Sequence, residues 1–410
     1  MISRRLAWMV AITASATMTV SYVDRTTLAV LAPSVTKALH ISETAYGGLT
    51  SAFSVAYLLA VPLSGWWIDR AGARRGLVVS LLIWSAVAAG HALVPGLGVL
   101  FAMRIALGVA EGPSFPGAAQ TISRILPSAD RERGFGVLFT GSSLGNMLAP
   151  PIASALFAIA GWRVAFLLTS VVGLLWLPLW IGLTRQPAVR TMLDSHSPAP
   201  HAEHPPLREI MASPLMVRAL IGILAVAPLL GLVGAWGAKY LVRVFAMPQD
   251  TVGSYLWVPP LVADLGAILF GDLAARQARG GAPPRALHAV AALLATSAAL
   301  LPWAATPWRA MAVFSVCTAG GLAVYTLVTS DLLSRMPAGR ASFAAGVLSG
   351  AQSLALIVTH PLIGRAVDAT GGYALATLVI AGWVLPGSLI WWAWRPPPRA
   401  EPQVAEIAAA

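Results

Sequence analysis

Four ionisable residues stand inside apolar stretches of this 410-residue chain, where water would not reach them. Asp24 and Arg25 follow one another in Tyr22-Val23-Asp24-Arg25, while Arg104 and Glu111 lie seven residues apart farther along. Seven residues is two helical turns, so Arg104 and Glu111 share a helix face. Asp24 and Arg25 point about 100° apart on theirs and need not serve one partner, so that one can address Arg104 while the other faces a cavity. A charge at the centre of a helix in hydrocarbon costs at least about 2.5–3.5 kcal/mol, so four of them belong to a bundle interior. Two chemistries fit: a structural salt-bridge cluster, or a path for a charged substrate and protons. An arginine keeps its charge and forks onto a carboxylate through two parallel hydrogen bonds. A desolvated acid beside it can change protonation as the site opens to one side or the other.

The elements that must position these residues follow from composition. Hydrophobic residues make up 57% of the chain and charged residues 10%, against about 25% charged in an ordinary soluble domain. Apolar runs recur at close to the roughly 20 residues a helix needs to cross hydrocarbon. Backbone groups in lipid must pair internally, and the runs lack the alternation of barrel strands, so they predict helices. Twelve spans are expected, near 6–32, 45–68, 77–95, 98–123, 134–160, 163–184, 217–242, 251–274, 286–305, 309–332, 341–364 and 373–394. They divide the chain into a six-helix half over 1–184, a polar linker over 185–213, a second six-helix half over 214–394 and a tail over 395–410.

The net charge of +11 does not point to nucleic acid, because the arginines cluster in alternate loops rather than on one basic face with aromatics. Their bias puts both termini in the cytoplasm. Cys317 is the single cysteine and lies in an apolar run, which leaves no disulfide framework and no thiolate metal site. His196, His201 and His204 in the proline-rich linker read as solvated residues rather than a metal clip. No cofactor is expected.

Two further patterns carry information. Between the second and third spans runs Gly65-Trp66-Trp67-Ile68-Asp69-Arg70-Ala71-Gly72-Ala73-Arg74-Arg75. Here Gly65 would permit close helix packing, Asp69 would accept from an arginine or a helix N-terminus, and Gly72 would make a tight turn. Residues also repeat at a spacing of 210: Gly136-Val137-Leu138 with Gly346-Val347-Leu348, Pro151 with Pro361, Gly161 with Gly371. Gly108 and Gly112 form a small-residue pair for helix contact, and Pro113 and Pro116 can bend the fourth span.

The loop from Gly65 to Arg75 resembles the conserved loop motif of the major facilitator superfamily, with Asp69, Arg70, Arg74 and Arg75 as gating residues. Tyr22-Val23-Asp24-Arg25-Thr26-Thr27-Leu28-Ala29 resembles the first-helix signature of its anion:cation symporters, in the hexuronate and sugar-acid branch. So do Arg104-x3-Gly108-x2-Glu111-Gly112-Pro113-x-Phe115-Pro116 and Arg131-Glu132-Arg133-Gly134. Lys239-Tyr240-Leu241, Trp257-Val258-Pro259 and Ala263-Asp264-Leu265-Gly266 are similar to hexuronate-transporter segments. The resemblance covers nearly the whole chain.

It implies the major facilitator fold, all-α with two six-helix halves about a pseudo-two-fold axis, and substrate at the midplane between them. It implies a proton-coupled symporter of small carboxylated sugars in a bacterial inner membrane, a monomer whose partners are the acid, protons and lipid. Asp24 and Glu111 match the proton-carrying acids, Arg25 the carboxylate-binding arginine, Arg104 a charge partner, and Tyr57 a hydroxyl of the site. Ser142 stands where the family often has glutamine, and Ser349 where it has asparagine. Gln352, the repeat mate of Ser142, would restore an amide from the other half. Tyr325, Thr326 and His360 are candidates for the cavity wall, His360 equally for packing. Asp264 would bind substrate hydroxyls or pack between helices, and Lys239 would attract anions or snorkel to the interface. Monocarboxylate transport and proton-driven export stay open as alternatives. A membrane enzyme is disfavoured for want of a metal or nucleophile constellation near a span end.

Overall fold

A computed structural model describes residues 2–194, 207–277, 284–336 and 341–394, and these are almost wholly helical. The linker histidines and the tail over 395–410 lie outside the described residues. The first half comprises α1 (Arg4–Ala38), α2 (Glu43–Ala71), α3 (Ala73–Gly90), α4 (Leu97–Glu111), α5 (Ser114–Ile125), α6 (Ser128–Leu174) and α7 (Trp176–Thr184). Two short helices, α8 (Pro187–Asp194) and α9 (Leu207–Ala212), lie in the linker. The second half comprises α10 (Pro214–Phe245), α11 (Gly253–Leu256), α12 (Val258–Gln277), α13 (Arg285–Thr296), α14 (Pro307–Leu333), α15 (Ala341–Thr370) and α16 (Ala374–Ala393).

Eleven helical stretches among the described residues are long and apolar enough to cross a membrane. One of them, Ser128–Thr184, has 57 residues, about 85 Å at the helical rise, where a bilayer core is about 30 Å. It breaks at Ala160 and Gly161, whose φ is +78°, and so makes two crossings, which restores the twelve expected. Gly371 closes the equivalent helix of the second half at φ +76°. Only glycine adopts this conformation without strain, so the 210-residue repeat places one backbone device twice. The fourth span bends as its prolines require: α4 stops at Glu111, and α5 begins at Ser114 with Pro113 as its N-cap. The polar linker is less solvated than its composition predicts, since Val189 and Leu193 of α8 are fully buried. Asp194 pairs with Arg74, and Arg124 donates to the Leu193 carbonyl, which fastens α8 to the first half.

The halves meet most closely at the end carrying the α1–α2 turn. There α2 runs against α15 with no room for a side chain: a Cβ on Gly47 would strike the His360 backbone, and one on Gly364 the Glu43 backbone. Polar contacts reinforce this seam. Glu43 pairs with Lys239 at 3.0 Å and with Arg243 at 3.2 Å. Asp368 accepts from the Glu43 and Thr44 amides at 3.1 and 2.8 Å, holding two of the free N–H groups that begin α2. Gln249 donates to the Val30 carbonyl at 2.7 Å, and Tyr46 to the Ala235 carbonyl at 2.6 Å. At the opposite end, the ion pairs among the described residues stay within one half. At that end a Cβ on Gly65, Gly136 or Gly346 would meet nothing within 4 Å, so the bundle is shut at one end and parted at the other.

Candidate functional site

Arg25 and Glu111 meet in the middle of the first half. Arg25 donates to Glu111 Oε2 through Nη2 at 3.0 Å and Nε at 3.2 Å, and Ser21 donates to the same oxygen at 2.8 Å. Ser21 and Arg25 are four residues apart, hence on one face of α1. Glu111 is the last residue of α4 because Pro113 prevents its continuation, and that break presents the carboxylate to α1. The guanidinium sits among three rings, 4.5 Å from the centroid of Tyr57, 4.6 Å from Tyr22 and 4.7 Å from Phe53. These faces hold the cation by their quadrupoles and fix its plane. The exposures differ in a way that matters: the Glu111 side chain is 0% exposed and that of Arg25 20%. The arginine is reachable from the cleft, the acid only through the arginine.

Arg104 and Asp24 depart from expectation. They do not pair. Arg104 lies 4.7 Å over the Phe53 ring, and its Nε and Nη1 atoms have no hydrogen-bond partner. Asp24 turns away toward α3 and α6, where Trp84, Ser85 and Gly173 surround its buried carboxylate. The 100° offset explains this: once Arg25 faces α4, its neighbour faces the other side of α1. The interior thus holds two arginines and two acids, of which only one pair is joined.

The remaining candidates scatter around the cleft. Tyr57 contributes its ring face to Arg25. Ser142, Tyr325 and Gln352 are half-buried, and Ser349 is exposed. Thr326 faces α12, its methyl 3.6 Å from where a Cβ on Gly271 would stand. Asp264 accepts from Ser143 across the two halves at 3.1 Å. His360 is packed, accepting from Trp236 Nε1 at 3.2 Å. Lys239 does not snorkel: it is buried, bonded to Thr36 at 2.7 Å as well as paired with Glu43.

In the loop between α2 and α3, Gly72 turns the chain at φ +76°. Asp69 accepts from the Gln120 amide at 2.9 Å rather than from an arginine, and the Gln120 oxygen takes the Ala73 N–H at 3.0 Å. The amide thus relays the acid to the start of α3. Arg70 stacks 3.8 Å over Trp66, and Arg75 is exposed. Gly65 corrects the expectation of close packing, since a Cβ there would meet nothing within 4 Å; the parted end leaves this side of α2 open. Gly108, by contrast, does admit the α2 backbone at Phe53.

Sequence reasoning missed Ser21, Phe53 and Asn146. The first two sit one turn before Arg25 and Tyr57, a spacing that was available. Asn146, one turn beyond Ser142, accepts from Thr26 at 3.1 Å beside Arg25.

Two six-helix halves, with a partly exposed arginine held by a buried acid inside the first, fit a membrane solute carrier. The family model described as Major Facilitator Superfamily matches residues 14–360, and the chain belongs to that superfamily. It is a multi-pass membrane transporter, not an enzyme. The galacturonate transporter of Dickeya chrysanthemi is 29% identical over 262 residues, spanning 61% of this chain and 76% of that protein. The hexuronate transporter of Bacillus subtilis (strain 168) is 26% identical over 387 residues, 90% of each chain. The fold matches the crystal structure of a bacterial homologue of the human lysosomal transporter Spinster, in an inward-facing and unoccupied conformation. That match has a TM-score of 0.80 at 18% identity and covers 95% of this chain and 97% of the other. The relatives fall in the sugar-acid branch that the first-helix and fourth-span motifs resemble.

Proposed function

We propose that the protein is a proton-coupled symporter that brings a sugar acid (hexuronate, aldonate or aldarate) across a bacterial inner membrane by alternating access. The observation that carries this reading is the Arg25–Glu111 pair, with the arginine open to the cleft and the acid sealed behind it. A substrate carboxylate entering the cleft competes with Glu111 for the same guanidinium. Protonating Glu111 removes the competitor and frees the fork for substrate, so proton and anion favour each other's binding. A neutral acid also leaves the interior with an excess positive charge that a monoanion cancels. Asp24 is the second proton carrier and Arg104 the charge that answers it when the halves rock. Tyr57, Ser142, Asp264, Tyr325, Thr326, Ser349 and Gln352 form the polar walls around the acid, and the loop from Gly65 to Arg75 gates the parted end. The sugar-acid transporters among the relatives support the substrate class.

Both termini are cytoplasmic by arginine bias, which makes the joined end periplasmic and the cleft inward-open. The working unit is a monomer that uses no cofactor. Uptake into proteoliposomes of a panel of sugar acids and small monocarboxylates, with and without an inward proton gradient, tests the proposal. Sugar-acid accumulation that collapses with the gradient is expected. Gradient-independent equilibration would remove the coupling, and outward-driven transport would reverse the direction.

A further inference from the structure

We propose that Asp264 narrows the substrate class proposed above by reading net charge, accepting the acids with one carboxylate (hexuronates and aldonates) and rejecting the aldarates, which carry a second carboxylate at the far end. The inference rests on the reading of Arg25 as the carboxylate anchor and adds what meets the other end of the molecule.

Asp264 is the acid that α12 brings to the seam with α6. Ser143 donates to its Oδ1 at 3.1 Å, and among the described residues no bond engages Oδ2 and no cation pairs with the carboxylate. It is half-buried, so one oxygen is fixed by the first half while the other remains available. The position relative to Arg25 follows from α6. Ser143 carries Asp264, and three residues on Asn146 accepts from Thr26, the neighbour of Arg25. Three residues is about 4.5 Å along the helix axis. Thr26 and Asp264 thus engage α6 within one helical turn of each other, from opposite halves, and Arg25 is the residue next to Thr26 on α1. A short sugar acid with its carboxylate on Arg25 directs its remaining carbons toward the second half.

What Asp264 does there depends on the group it meets. Carboxylate oxygens accept strongly from hydroxyls, so the chain of a hexuronate or aldonate supplies what the free oxygen lacks. A second substrate carboxylate supplies no proton and places a like charge in a site with little water to screen it. Rejection of the wrong acid through a like charge is as effective a route to specificity as attraction of the right one.

The test compares hexuronate, aldonate and aldarate of one carbon length as competitors of labelled hexuronate in proteoliposomes. The wild type should bind the aldarate at least tenfold more weakly than the two monoacids. Asp264→Asn retains an acceptor for Ser143 and removes the charge, and should narrow that ratio at least fivefold. A monomethyl ester of the aldarate, neutral at one end, should compete like the aldonate on the unmodified protein, a measurement that stands even where the variant fails to fold. Equal binding of aldarate and monoacids, an unaltered ratio in Asp264→Asn, or an ester as weak as the diacid would overturn the proposal. Arg25→Ala separates the two levels of the argument. If it leaves all acids binding, the site itself is misplaced; if it abolishes binding while the Asp264 ratio stays fixed, only the charge reading falls.

Discussion

The two ends of the bundle use their charged residues in opposite ways. At the α1–α2 end, Glu43, Lys239, Arg243 and Asp368 reach from one half to the other. At the Gly72 end, Arg74 with Asp194 ties α3 to α8, and Arg4 with Asp130 ties α1 to α6, both inside the first half. Arg218 with Asp331 ties α10 to α14 inside the second. Contacts inside a half survive any rocking of the halves, whereas contacts between halves must break in each cycle. The first kind sets the shape of two rigid bodies. The second sets the balance between two states.

Steric blockade should show this division most strongly. Gly47→Leu places a side chain where the His360 backbone stands, so the joined end cannot close. Transport should fall to background while the protein stays folded, and spin labels on Lys37 and Asp250 should report a lengthened distance. An unchanged distance would mean that the glycine contact is not the seam.

Glu43→Ala comes next. It leaves buried Lys239 without its carboxylate, a loss of about 3–5 kcal/mol when one member of a buried pair is removed. Opening returns Lys239 to water, so the same labels should show the parted form of that end gaining population. No shift would assign the seam to packing alone.

The central pair should separate binding from coupling. Arg25→Lys lacks the planar fork and should weaken substrate binding at least about a hundredfold, near 2.7 kcal/mol. Glu111→Gln mimics the protonated acid, and should keep counterflow exchange while losing accumulation against a gradient. Accumulation by that variant would move the coupling to another group, Asp24 first.

The smaller effects are polar and local. Gln352→Ala should weaken polyhydroxy acids by about tenfold, near 1.4 kcal/mol, and hardly alter a short monocarboxylate; the double variant with Ser142→Gln should recover part of the loss. Equal effects on both substrates would make Gln352 a packing residue. Arg4→Ala is the smallest. Its side chain is 69% exposed and its pair with Asp130 stays within one half, so thermal melting should show little change in stability and the labels no change in state.

The sequence by itself determined the number of crossings, the two-half architecture, the branch and the charged residues of the interior. Those follow from local quantities: run length against bilayer thickness, a glycine and proline spacing that recurs at 210 residues, and ionisable types too costly to face lipid. It also located the bend at Pro113 that delivers Glu111. Only the tertiary structure decided the pairings. Arg25, not Arg104, meets Glu111; Asp24 faces α3; Asp69 reaches α3 through Gln120; and Lys239 belongs to a seam rather than an interface. A helix fixes the angle between neighbouring side chains but not its own rotation against the next helix. Rotation is settled by packing of residues hundreds of positions apart, such as Gly47 on His360 and Gly364 on Glu43. Which end is shut lies beyond the sequence for the same reason: each arrangement makes its own contacts between the halves, and the choice between them is a small difference between two packed states.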